Sequence, residues 1–186
     1  MSWRSSALGF GRIARLLHWA TALLVLAQWL LGQYMTGLGP EAVAEKFVLY
    51  QRHKSLGAVI LLLTLARLLW RRIDRERPPP EPGTPPWQRL AAATTHGLLY
   101  LLLLIMPVTG FLAGAASPLG IPTVLFGVLP VPHPIGPDPA LEAAFVLAHR
   151  VQGWAIAALV ALHVAAALKH HWIDRDRTLV RMVRGN

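Results

Sequence analysis

Apolar residues fall into four long runs, and most polar residues are confined to the segments between them. The runs cover residues 16–35, 53–70, 94–115 and 143–170, each close to the roughly 20 residues that a helix needs to cross a bilayer. The second and third are separated by RRIDRERPPPEPGTPPWQR (71–89), a basic, proline-rich stretch that cannot continue as helix. The third contains Pro107, where a membrane bundle tolerates a break in the helix ladder. It is followed by SPLGIPTVLFGVLPVPHPIGPDPA (117–140), whose apolar TVLFGVL core is too short to span. That loop is expected to lie at the interface or fold over the bundle end. The first run, preceded by Arg4, Arg12 and Arg15, competes with a signal-peptide reading. Its length and the lack of a clear A-x-A site favour a retained span. The pattern predicts an all-α, integral membrane four-helix bundle forming a single domain over 1–186.

Composition narrows the chemistry. With 54% hydrophobic residues in 186, the chain reads as a membrane protein. It has no cysteine, which excludes iron–sulfur ligation, thiolate metal sites, disulfides and covalent c-type haem. Redox chemistry must therefore use histidine or a bound cofactor. The net charge of +9 does not point to nucleic acid, because most basic residues flank apolar runs. Alternating crossings place Arg4, Arg12, Arg15, Arg67, Arg71, Arg72, Arg75, Arg77, Arg89, Lys169, Arg175, Arg177, Arg181 and Arg184 on one side, against five acidic residues. The other side holds Lys46, Arg52, Lys54 and Arg150 against four acidic residues. The whole excess lies on one side, which the positive-inside rule makes cytoplasmic. Both termini are then cytoplasmic.

Histidine at membrane depth is a functional-site hypothesis by default. His18 starts an outward-going span and His163 lies late in an inward-going one, so both sit near the cytoplasmic face. His53 and His149 start inward-going spans, near the outer face. His149 and His163 are fourteen residues apart, which is roughly the same helix face and about 21 Å along the axis. Two depth-matched pairs are what two bis-histidine b haems require. Each of the four is followed four residues later by a small residue, Ala22, Gly57, Gly153 or Ala167, leaving room for a porphyrin on that face. Small residues also serve ordinary membrane helix contacts. His96, His170 and His171 are followed at that spacing by Tyr100, Asp174 and Arg175, and fall outside the set. Hydrogen-bonded structural histidines in a haem-free bundle, or a histidine-based metal transporter, are the competing readings. A transporter would converge its ligands on one site at mid-depth.

Several motifs together carry a family likeness. They are HW at 18–19, HKSLG at 53–57 with Arg67 fourteen residues after His53, HGLLYLLL and IMPVTG in the third run, IPTVLFGVLP, and HRVQGW, LHVAAALKHHW and DRTLVRM towards the end. Over almost its whole length the chain resembles the bacterial cytochrome b561 family. Related four-helix b cytochromes are membrane subunits of nickel–iron hydrogenases and formate dehydrogenases. The resemblance implies a four-helix bundle with two haem b groups, axial ligands at His18, His53, His149 and His163, and electron exchange with the quinone pool, ubiquinone or menaquinone.

Bis-histidine ligation leaves no open iron position, which favours electron transfer over oxygen binding. Stepwise transfer between an outer and an inner haem is the expected route. His170 lies seven residues beyond His163 on the same face, clustered with Lys169, His171 and Trp172. It is either part of an interfacial anchor or the residue that exchanges a proton with a bound quinone. Arg67 either snorkels or pairs with haem propionates. At the outer face Arg52, Lys54 and Arg150 can neutralise propionates or draw in a small anionic one-electron donor such as superoxide. The expected function is that of an electron-transfer oxidoreductase acting with quinone. The alternative is a cytochrome b anchor subunit serving a redox partner protein.

Overall fold

A computed structural model describes residues 2–185. Helix α1 covers Arg12–Gly37, α2 Val43–Ile73, α3 Pro86–Ala116, α4 Pro139–Trp172 and α5 Thr178–Val183; a two-stranded hairpin, β1 Thr123–Leu125 and β2 Leu129–Val131, precedes α4. The expected runs all lie inside helices, and the helices extend past them. α2 begins ten residues before His53, so His53 is an interior residue and the connection from α1 is only a few residues around Gly39 and Pro40. α3 begins eight residues before Thr94 with Pro86 in its first turn, where the missing N–H removes no helical hydrogen bond. α4 likewise opens on Pro139. Its first turn is capped by Asp138, whose Oδ1 accepts the backbone N–H groups of Ala140 (2.9 Å) and Leu141 (3.0 Å). Residues 74–85, rich in proline, are non-helical as expected.

The TVLFGVL segment is the hairpin, with Thr123 opposite Val131 and Leu125 opposite Leu129. Phe126 and Gly127 both have positive φ (54° and 73°), the twist that suits a tight antiparallel connection. The hairpin is tied to α2. Gln51 Nε2 donates to Pro122 O (2.8 Å), Val124 N donates to Gln51 Oε1 (3.2 Å), and Phe126 N donates to Ser55 Oγ (2.9 Å).

Helices α1, α3 and α4 are long and apolar enough to cross a membrane. α2 has 31 residues but carries Glu45, Lys46, Arg52, Lys54, Arg67, Arg71 and Arg72, and falls outside that group by composition. The helices have an inverted polarity. Leu23, Leu62 and Leu162 are 65%, 65% and 57% exposed, whereas Thr21 and Thr64 are 1% and 0% exposed. Apolar side chains facing outward and hydroxyls facing inward suit lipid as the surrounding solvent, because the buried hydroxyls can bond within the helix. Thr21, for example, donates to Leu17 O at 2.7 Å.

The chain forms two compact units. One comprises residues 1–22, 63–101 and 156–186; the other comprises 23–62 and 102–155. The first contains fourteen basic and five acidic residues and so carries the entire +9, while the second contains four of each. In the first unit the N-terminal segment is latched by Asp74. Its carboxylate accepts Ser5 N (3.1 and 3.2 Å) and Ser5 Oγ (2.6 Å), all buried. The C-terminal segment is held in the same unit by Trp19 Nε1 donating to Met182 O (3.1 Å), Arg181 Nη1 to Pro79 O (2.9 Å), and Arg181 facing Glu81 (3.0 Å).

Candidate functional site

In the second unit, α2 and α4 bring His53 and His149 together with ring centroids 6.0 Å apart. His149 Nδ1 lies 3.0 Å from Met106 O on α3. A carbonyl only accepts, so Nδ1 carries the proton and Nε2 of the neutral ring keeps its lone pair. Thr109 supports this arrangement. Its hydroxyl lies 2.9 Å from Met106 O, 2.8 Å from Gln152 Oε1 and 3.4 Å from His149 Nδ1. Gln28 of α1 donates through Nε2 to His53 O (2.6 Å). The His53 ring Nδ1 is buried and has no hydrogen-bond partner, an arrangement that buried polar groups normally avoid.

In the first unit, His18 of α1 and His163 of α4 have centroids 6.1 Å apart. His96 of α3 packs on His163 at 5.1 Å, so this cluster has three imidazoles. Sequence spacing left His96 outside the set, and it reaches the cluster from a helix that supplies no other histidine. Arg67 Nη2 lies 3.2 Å from His18 Nδ1 and its guanidinium stacks 5.2 Å from the Tyr100 ring. Guanidinium only donates, so His18 accepts at Nδ1 and its proton sits on Nε2. Arg67 thus contacts the histidine expected as a ligand.

Spacing bears on whether these residues fit haem. The centroid distances of 6.0 and 6.1 Å leave room for one metal ion about 2 Å from a nitrogen of each ring. His149 also has the tautomer a ligand needs, with the distal N–H held by a carbonyl as metal-bound histidines usually have it. His18 meets the spacing, and binding through Nε2 requires Arg67 to turn away from Nδ1. Glycines shape the rings' surroundings, though mostly not the two expected. A Cβ at Gly110 would lie 2.8 Å from His149 Cε1, and one at Gly32 3.6 Å from His53 Cε1. Gly57 lies against Gln28 and Gly153 against Met106, with hypothetical Cβ distances of 3.6 and 3.4 Å. Gly110 and Gly32 are on helices other than those bearing the rings they touch, so counting along one helix could not find them.

His170 sits at the end of α4 in a polar cluster. Its Nδ1 is 2.6 Å from Asp176 Oδ2 and 3.1 Å from Asp174 Oδ2, and Lys169 Nζ bonds both oxygens of Asp174 at 2.8 and 2.6 Å. Burial pushes the Asp176 pKa up, but Thr178, through its backbone N–H and hydroxyl, and His170 outweigh it and hold the carboxyl below its usual range. His171 packs on Trp172 (6.2 Å) away from this cluster's hydrogen bonds. In the hairpin region, His133 Nε2 is 3.1 Å from Thr123 Oγ1. Partial burial and the charge of Lys54 lower its pKa.

Long apolar helices that face imidazoles toward one another fit a membrane b-type cytochrome. Comparison with known proteins makes the class specific: residues 9–185 match the model of prokaryotic cytochrome b561, and the chain belongs to that family. It is 35% identical to cytochrome b561 homolog 2 of Escherichia coli K12, covering 98% of this chain and 95% of that protein. It is 32% identical to cytochrome b562 of Cereibacter sphaeroides (95% and 96% covered), and 28% identical to a Yersinia pestis protein named "Probable superoxide oxidase CybB" (90% and 91% covered). Family membership implies haem b, and the protein is a bacterial membrane protein.

Proposed function

We propose that the protein binds two haem b groups, one between His53 and His149 and one between His18 and His163, and carries electrons from a small anionic one-electron donor to quinone. The observation that carries this reading is the repeated centroid spacing of 6.0 and 6.1 Å in two separate units. These histidines would hold haem b, which would supply reversible one-electron chemistry. The chain's own residues do the rest. Met106 O and Thr109 fix the His149 tautomer, Gly110 admits its ring, and Gly57 and Gly153 keep the following turns free of bulk. Arg67, released from His18, neutralises propionate charge, since a guanidinium matches a carboxylate in a fixed fork.

The chain crosses a bacterial inner membrane four times with both termini cytoplasmic. The concentration of the whole +9 in one unit supports this, as do the lipid-ready leucines of α2, with Leu62 and Leu69 65% and 63% exposed. His170 exchanges a proton with ubiquinone or menaquinone at the cytoplasmic end. Arg52, Lys54 and Arg150 steer an anionic donor to the outer end, and the name of the Yersinia pestis relative supports superoxide as that donor. Two superoxide anions, one quinone and two protons then give two dioxygen molecules and one quinol. Purified protein supplied with a superoxide source and a soluble quinone is expected to form quinol faster than the protein-free mixture, with a rate that falls as salt rises. No acceleration, or a rate indifferent to ionic strength, would contradict the donor assignment.

A further inference from the structure

His170 is the one histidine of α4 whose ring nitrogen is clamped by carboxylates. Among the described residues the charged groups at its Nδ1 are Asp174 and Asp176, with Lys169 paired to Asp174. The two aspartates are not equivalent. Asp174 stands farther off, at 3.1 Å, and its charge is shared with the Lys169 ammonium on both oxygens. Asp176 makes the short 2.6 Å contact, its side chain is 14% exposed, and its other oxygen is anchored by the Thr178 N–H at 2.8 Å. The chain also folds back on itself here, with Asp176 N donating to His170 O at 3.0 Å and Arg175 in the left-handed region at φ 53°. A non-glycine residue is driven there only when its surroundings fix the turn.

We propose that Asp176 is the positioning residue for proton exchange at His170: it holds the imidazole as the Nδ1–H tautomer and aims Nε2 away from the carboxylates. This rests on the reading of His170 as the quinone contact. Carboxylate only accepts, so Nδ1 is the donor and Nε2 is the atom left for a second partner. In the proton step the Nε2–H bond of the imidazolium breaks and an O–H bond forms on a quinone oxygen. The electrons come from the one-electron donor named above, and the neutral ring, still bonded through Nδ1–H to Asp176, takes its next proton from water. Lys169 withdraws Asp174 from this role by neutralising it.

The test uses the full haem-loaded chain in nanodiscs containing a short-chain ubiquinone. The rate of quinone-linked reoxidation is compared among wild type, Asp176→Asn, Asp176→Glu and His170→Ala. Asp176→Asn is expected to slow it about tenfold with the haem spectrum unchanged, and Asp176→Glu to restore most of it. An unchanged rate in Asp176→Asn, with His170→Ala slow, overturns the inference and leaves the quinone reading intact. A His170→Ala chain with wild-type rate overturns the reading beneath it, and the inference with it. Should Asp176→Asn lose its haem spectrum, nitrogen-15 NMR of histidine-labelled wild type decides: the Nδ1–H tautomer at His170 supports the inference and the Nε2–H tautomer overturns it.

Discussion

One backbone carbonyl decides how His149 is protonated. Met106 O accepts from Nδ1, and the lone pair of the neutral ring is thereby left at Nε2. On the partner unit's ring the opposite holds, because Arg67 donates to His18 Nδ1. The two pairs share a spacing but differ in how ready their rings are. Gly110 is a second decisive residue: a methyl group there would meet His149 Cε1 at 2.8 Å, closer than side-chain carbons approach, so the ring must shift. Gly110→Ala is expected to weaken haem retention at the His53–His149 pair while leaving the His18–His163 pair intact, measured as haem per chain and by the low-temperature α-band. Wild-type haem content and band shape in this variant would contradict it. The pairing of His18 with His163 and of His53 with His149 could be expected from the sequence because imidazole is rare at membrane depth and the spacings are regular. Met106 O could not be, since every residue has a carbonyl and only the fold says which one faces a ring. Nor could the place of His96 on His163, because α3 carries no second histidine to set a register.

Helix ends account for most of the difference between expectation and structure. The apolar runs mark where a helix is uniformly greasy, and α2 continues upstream through VAEKFVLYQR, a mixed stretch that forms helix without looking like a span. Gln51 in this stretch, with Ser55 one turn on, bonds the hairpin, so one of the polar residues that blurred the boundary holds the loop. The prolines of 74–85 and Pro86 at the start of α3 behaved as their missing N–H requires. The Ser5–Asp74 latch lay beyond sequence reasoning because its partners are 69 residues apart. Ser5→Ala leaves the Asp74 carboxylate short of a buried hydroxyl donor and is expected to destabilise the chain by about 1–3 kcal/mol, seen as a lower thermal midpoint with unchanged haem spectra. At the other end, the depressed pKa of Asp176 gives a stabilisation fully present above the unfolded value of about 3.9 and lost as pH falls through the folded one. Protection of the α5 amides relative to intrinsic exchange is expected to fall only below about pH 4 in wild type, and already at neutral pH in Asp176→Asn; equal protection in the two at neutral pH would contradict this.

For the chain as a whole, charge and fold divide it at the same places. All fourteen basic residues assigned to the cytoplasmic side fall in one unit, and the balanced four-against-four set falls in the other. The expected orientation rests on summed charge near span ends, and a sum survives errors of several residues in each boundary. Reporter fusions at the C-terminus are expected to be active only with a cytoplasmic reporter, and a periplasmic signal there would reverse the orientation of both pairs. The proposal that two separate histidine pairs each hold a haem is tested most directly by haem quantification with reduced-minus-oxidised spectra on wild type, His149→Ala and His163→Ala. Two haems per wild-type chain and one in each variant, with complementary α-band losses, is the expected result. One haem in wild type, or both haems kept with normal ligation in either variant, would contradict it.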